Sequence, residues 1–177
     1  MGLDILDEIE RIEKTIGKLS DVQKVLLATD GSVTTILEVL NGDVKIKTLK
    51  QKLIEADEKI AHGLGIKKGD LVNYRVVVIE SDMPLIHATS FIPIKRLYDD
   101  FKEDLTKADI PIGKLLKKYN IEARREIEYI DVKRPDEELM QIFKIDSPML
   151  TRTYNIIHKE EVLIRITETF PSTFNKG

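Results

Sequence analysis

A unit of helix, strand, hairpin and closing proline occurs twice in this sequence, and that repetition restricts the fold more than any other feature. In the first copy, Ile60-Ala61-His62-Gly63-Leu64-Gly65-Ile66 is followed by Tyr74-Arg75 and then by a hairpin ending Thr89-Ser90-Phe91-Ile92-Pro93. In the second, Met140-Gln141-Ile142-Phe143-Lys144-Ile145 is followed by Thr151-Arg152 and by a hairpin ending Thr167-Glu168-Thr169-Phe170-Pro171. Two like halves build one antiparallel sheet, and a ligand lies naturally where their inner faces meet. The comparison sets Glu168 at the place of Thr89, so packing alone does not demand a carboxylate there.

Glu168 is also conspicuous within its own strand. Period-2 alternation puts Val162, Ile164, Ile166, Glu168 and Phe170 on one side of the sheet. A carboxylate on such a surface is a solvated strand end, or it holds a proton near neutral pH, or it meets a cation or donor. The last two outcomes are what a general acid needs. Arg75 shares a strand face with Val77 and Ile79, and its guanidinium, which cannot discharge, must find an anion or carbonyls there. An internal salt bridge to Glu168 and a ligand carboxylate both satisfy it. Arg152, beside Tyr154 and Ile156 but nearer a strand start, reads as structural or peripheral.

Composition excludes several functions. With 177 residues the chain is expected to form a single domain, 1–177, large enough to close a core around a cavity. The net charge of −3 is spread over interspersed signs, which speaks against a nucleic-acid or anionic-membrane surface. No cysteine is present, so disulfides, thiolate catalysis and Cys-based zinc sites are excluded. His62, His87 and His158 are isolated and lack metal-ligand spacing. No metal, phosphate-loop or dinucleotide motif occurs. The apolar runs are too short to span a bilayer, and the acidic N-terminus is unlike a signal peptide, so a cytoplasmic protein is expected.

The pattern of elements is α+β. Ile5, Ile9, Ile12, Ile16 and Leu19 mark an amphipathic opening helix, Ser20 caps a second, and Ser32 caps a third that stops at Asn41-Gly42. A strand over Val44 to Ile54 and a helix over Ala56 to Leu64 precede the first hairpin, Val72 to Ile79 with Leu85 to Ile92. Pro93 is then expected to open a helix from Ile94 to about Lys107, and Pro111 another to Tyr119. A strand over Glu126 to Val132 and a helix over Pro135 to Phe143 lead to the final hairpin, Leu150 to His158 with Val162 to Phe170. The helix starts at Ser32-Val33 and Ile112-Gly113 carry free N–H groups that receive anions.

These residues, taken together, resemble the chorismate pyruvate-lyase family along nearly the whole chain. The resemblance rests on Leu26-Leu27-Ala28-Thr29-Asp30-Gly31-Ser32-Val33-Thr34 with Leu37-Glu38, on Tyr74-Arg75 opening a hairpin that ends Ile92-Pro93, on Pro111-Ile112-Gly113, and on Ile166-Thr167-Glu168-Thr169-Phe170-Pro171. It implies one α+β domain with a six-stranded antiparallel sheet, helical flaps over an internal site, and conversion of chorismate to 4-hydroxybenzoate and pyruvate without a cofactor. It implies that Arg75 binds the ring carboxylate, helped by backbone amides at Val33 and Ile112, and that Glu168 faces the ring oxygen that becomes the phenol.

The sequence departs from bacterial members of that family and is closer to archaeal ones. Val33 and Ile112 replace a methionine and a leucine, and Thr89 stands where an arginine is expected near the second carboxylate, a charge that Arg152 or a lysine would have to supply. The segment from Tyr74 to Pro93 also resembles the ligand-binding domains of certain bacterial transcription regulators. That alternative is a small-molecule sensor that catalyses nothing. The residues ahead of Asp30 are too few for the winged-helix module such regulators carry, so DNA binding is not expected.

Overall fold

The computed structural model describes residues 2–107 and 109–172, and its frame is a six-stranded sheet in which every neighbouring pair is antiparallel. Three helices come first, α1 (Ile5–Ile16), α2 (Asp21–Ala28) and α3 (Val33–Asn41). They are followed by β1 (Lys45–Glu55), α4 (Glu58–Leu64), β2 (Leu71–Glu80), β3 (Pro84–Pro93), α5 (Asp99–Lys107) and α6 (Ile112–Lys118). The chain ends with β4 (Arg124–Lys133), α7 (Glu137–Phe143), β5 (Met149–His158) and β6 (Glu161–Pro171).

Local chemistry sets the helix ends. Asp4, Ser20, Ser32, Asp57 and Asp136 are N-caps whose side chains accept backbone N–H bonds that a first turn leaves open. Gln23 completes a capping box with Ser20, and its amide donates to the Ser172 carbonyl just past β6, so one buried side chain joins a helix start to a strand end. Gly42 stops α3 at φ 77°, a conformation that costs glycine little.

The sheet order is β1-β2-β3-β6-β5-β4, so the two copies of the repeat join through β3 and β6, with Thr89 opposite Thr167. The copies agree in detail. Helices α4 and α7 each have seven residues, start at an aspartate cap and end on a left-handed residue, Gly65 and Lys144. Each hairpin shifts register near its turn, between Ile79 and Glu80 and between Ile156 and Ile157, and the unmatched residues are Leu85 and Leu163. Both leucines are buried in the main core.

That core fills the front of the sheet. Ile12 of α1, Leu26 of α2, Leu37 of α3, Phe101 of α5 and Leu115 of α6 pack with Val77, Ile86, Ile164 and Phe170 of the strands. Each large apolar side chain so buried contributes about 1.5–3 kcal/mol. On the back, Ala61 and Leu64 of α4 pack with Val72, flanked by Phe91 and Val162. Val162 therefore does not share a face with Glu168 as simple alternation predicts, because the bulge at Leu163 shifts the phase of the strand by one residue.

A second expectation is also corrected. Pro93 opens only a 3-10 turn over Ile94–Arg96, after which Leu97 is extended and α5 begins at Asp99. Arg96 donates to the carbonyls of Leu64, Gly65 and Val162, and Leu97 is buried in the core. These two anchors take the chain off the helical path. No helix among the described residues is long and apolar enough to cross a membrane.

Candidate active site

A small chamber, about 60 Å³, lies between the front of the sheet and the N-terminal ends of α3 and α6. Ile46, Val77, Ile79, Ala88, Ile156 and Ile166 make its apolar lining. Polar groups reach it from five successive strands of the sheet, Arg75 on β2, Ser90 on β3, Glu168 on β6, Tyr154 on β5 and Arg125 on β4, and from Ser32 and Thr34 at the start of α3. All six residues singled out from the sequence, Ser32, Val33, Arg75, Ile112, Gly113 and Glu168, line this one space.

Glu168 is 4% exposed on a strand flanked by β3 and β5, so it is not a solvated strand end. Its carboxylate accepts a hydrogen bond from the Tyr154 hydroxyl at 2.6 Å and one from Arg152 Nε at 3.3 Å. The cation that meets it is thus Arg152, its direct cross-strand neighbour, and not Arg75. Arg152 is fully buried over the Tyr154 ring at 4.7 Å and donates to the Thr29 carbonyl at 2.7 Å. Of the two readings of Arg152, structural or peripheral, the structural one therefore holds. Burial, and next the charge of Glu168, hold the Tyr154 hydroxyl well above its ordinary pKa, which keeps it a donor.

Arg75 is 2% exposed and differently placed. One guanidinium nitrogen, Nη2, donates to the Ile110 carbonyl at 3.0 Å, while Nε has no acceptor. Burial pushes its pKa below the ordinary arginine value, opposed by the charge of Asp109. Arg75 pairs with Ser90, Ser90 with Ile166, and Glu168 lies two residues further along β6. By strand spacing and rise, the Cα atoms of Arg75 and Glu168 are roughly 12 Å apart. Their side chains close part of that span from the two sides of the chamber.

The helix starts face the same space. Ser32 Oγ accepts from the Thr35 N–H at 3.3 Å, and the first intrahelical bond of α3 comes from Ile36, so the N–H groups of Val33 and Thr34 precede the helical ladder. In α6 the N–H groups of Lys114 and Leu115 bond to the Pro111 carbonyl, so those of Ile112 and Gly113 precede it likewise. The two helix starts are close together. A methyl group placed on Gly113 would stand 3.7 Å from Ser32 Oγ and 3.7 Å from an Arg125 nitrogen.

Counted back from the closing prolines, Ser90 and not Thr89 is the counterpart of Glu168. Ala88 and Ser90 line the chamber, and alternation turns Thr89 to the back of the sheet. The departure noted at Thr89 therefore does not touch the chamber. Tyr154 and Arg125 are among the lining residues that the sequence did not single out. Tyr154 follows Arg152 at the strand period, which is a signal. Arg125 is in phase with Ile127 on β4, but beside Arg124 it reads as a solvated charge pair. Among the described residues no group of three or more His, Cys, Asp or Glu side chains is arranged to hold a metal ion.

A family model described as chorismate pyruvate-lyase Rv2949c-like matches residues 27–176. The chain belongs to this Rv2949c-like chorismate pyruvate-lyase family. A relative from Methanocaldococcus jannaschii, named "Putative lyase MJ0807", is 40% identical over 94% of this chain and 86% of its own length. Among solved structures, PhnF from Mycobacterium smegmatis superposes with a TM-score of 0.72 at 19% identity, over 83% of this chain and 66% of that one, so this chain spans somewhat less than two thirds of PhnF. The effector domain of PhnF alone gives a TM-score of 0.69 at 20% identity, over 80% of this chain and 88% of that domain. At these identities the likeness is one of fold: this chain and the effector domain share a sheet architecture.

Breaking a buried ion pair leaves one charge unanswered in an apolar interior. Arg152→Ala is therefore expected to lower stability by about 3–5 kcal/mol, and the paired replacement Arg152→Met with Glu168→Leu to recover most of that loss. Urea unfolding of the single and double variants measures both. A single variant within about 1 kcal/mol of wild type would show that the pair does not hold the sheet and its cover together.

Proposed function

We propose that the protein is a cofactor-independent chorismate pyruvate-lyase, releasing pyruvate from chorismate and leaving 4-hydroxybenzoate. The observation that carries this reading is the pairing, inside one apolar chamber, of a buried arginine with an unanswered nitrogen and a carboxyl oriented by Tyr154 and Arg152. Membership of the lyase family supports it.

The reaction asks for little beyond such a site. The bond from the ring to the ether oxygen breaks, the ring carbon bearing the hydroxyl gives up a proton, and the departing enolpyruvate gains one at its methylene carbon to become pyruvate. Protons and electrons balance, and aromatisation of the ring drives the step. In this reading Arg75 holds the ring carboxylate, with the N–H groups of Val33 and Ile112, flanked by Ser32 and Gly113, at the same end. Glu168 faces the ring hydroxyl that becomes the phenol and carries the one proton in transit. Tyr154 and Arg152 keep its carboxyl in one orientation, and the chamber excludes water and fixes the ether.

Purified protein given chorismate should release 4-hydroxybenzoate and pyruvate in equal amounts, with chelator leaving the rate unchanged. Tight binding of chorismate with no turnover would instead make the chain an effector-binding module, and products whose formation stops with chelator would sink the cofactor-free mechanism.

Two substitutions separate binding from chemistry. Arg75→Ala should weaken binding of 4-hydroxybenzoate by roughly 2–5 kcal/mol in calorimetry, since the carboxylate loses its charge partner in a desolvated site. Unchanged affinity would assign Arg75 to the Ile110 carbonyl alone. Glu168→Gln keeps the shape and removes the carboxyl as a proton carrier, so turnover should fall about 10²–10⁴-fold while 4-hydroxybenzoate still binds. Full turnover in this variant would take Glu168 out of the mechanism.

A further inference from the structure

Arg125 stands where the chamber opens. Ser32, Thr34, Pro111, Gly113 and Arg125 line both the chamber and an outer groove of about 570 Å³ that also carries Lys114 and Lys117. The neighbouring Arg124 is taken up by Glu126 and Glu160. Arg125, among the described residues, has no hydrogen bond or ion pair, and its Nε is buried without an acceptor. The other cations near the mouth are engaged or lie outside it. Arg152 is held by Glu168 and the Thr29 carbonyl and lines neither space, while Lys114, 3.5 Å from Glu38, and Lys117 line only the outer groove, together with the carboxylates of Glu38 and Glu122.

We propose that Arg125 binds the second carboxylate of a dianionic aromatic or cyclohexadiene acid, at the boundary between chamber and groove. The geometry of the sheet supports a ligand with charges at two separate ends. Arg75 and Arg125 enter the chamber from β2 and β4, four strand steps apart in the sheet, or roughly 19 Å at the backbone. Arg125 pairs with Ile156, and Ile156 with Ile164, so its row on β6 lies four residues from Glu168. Arg75, Glu168 and Arg125 thus mark three corners. A ring with one carboxylate, a hydroxyl and a side chain ending in a second carboxylate presents three matching groups.

This assignment rests on the lyase reading for the identity of the dianion, and it adds a means of telling substrate from product. The substrate carries both carboxylates. Once the bond breaks, the aromatic product keeps one and no longer engages Arg125, while the three-carbon fragment lies on the groove side.

Calorimetry on wild type, Arg125→Met and Arg125→Lys tests it with two stable probes: 4-hydroxybenzoate, a monoanion, and 3-(carboxymethoxy)benzoate, a dianion whose ether-linked carboxylate is meta to the ring carboxylate. Wild type should prefer the dianion. Arg125→Met should lose about tenfold or more in affinity for the dianion while 4-hydroxybenzoate stays within about threefold, and Arg125→Lys, which keeps the charge, should recover part of the loss. Equal losses for both probes, or no loss for the dianion, overturn the assignment. If this split appears although chorismate is not turned over, the lyase reading falls and Arg125 keeps its role. Turnover of chorismate alongside unaltered dianion affinity in Arg125→Met removes Arg125 from the site and leaves the lyase reading standing.

Discussion

The buried guanidinium of Arg152 is the constraint around which the rest of the molecule is arranged. A charge with no access to water must be answered on every side it can be, because its desolvation is worth several kcal/mol. Glu168 answers it from the neighbouring strand, the Tyr154 ring from below, and the Leu27 and Thr29 carbonyls from the end of α2. One side chain thereby ties the second hairpin to the segment that leads into α3. The position of the Ser32 helix start over the chamber and the orientation of the Glu168 carboxyl follow from the same set of bonds.

The internal repeat gives this arrangement its asymmetry. Arg75 and Arg152 occupy equivalent places, each cross-strand from the third residue before a closing proline. In the second half that residue is Glu168, and the arginine is consumed in a buried pair. In the first half it is Ser90, which cannot neutralise a guanidinium, so among the described residues Arg75 has no ion-pair partner, although each arginine keeps one buried nitrogen without an acceptor, Nε in Arg75 and Nη2 in Arg152. Two arginines on one symmetric frame thus differ in that one is ion-paired to a carboxyl and the other is not. The change of a single cross-strand neighbour separates them.

The cover is held less firmly than the floor. Lys114 on α6 and Glu38 on α3 join the two flaps at 3.5 Å, but their side chains are 63% and 35% exposed, and such surface pairs contribute about 0–1 kcal/mol. The chamber beneath is tight for an aromatic ring. Under the proposed reading, parting of α3 and α6 would widen the chamber for a ring, and the weakness of the pair between them keeps such a motion inexpensive beside the buried ion pair of the floor.

Much of this was legible in the residues themselves. Capping side chains, apolar period and closing prolines are local features, so the helix starts at Ser20 and Ser32 and both hairpins could be read without a structure. Arg75 and Glu168 stood out because a charge on an apolar strand face violates a local pattern. The partner of Glu168 was not readable. Counting back from the turn pair His158 and Glu161 sets Arg152 opposite Thr167, and only the extra residue Leu163 moves it opposite Glu168. A bulge is decided by how the strand packs, since Leu163 is buried in the core that several helices build together. Arg125 was hidden for a related reason. Its own strand shows an ordinary charged start, and what makes it part of the site is the approach of α3 and α6, two helices far apart in the sequence, to the same end of β4. Local sequence determined which residues could face inward; the tertiary packing decided which of them meet, because register and helix approach depend on contacts that no short stretch of chain contains.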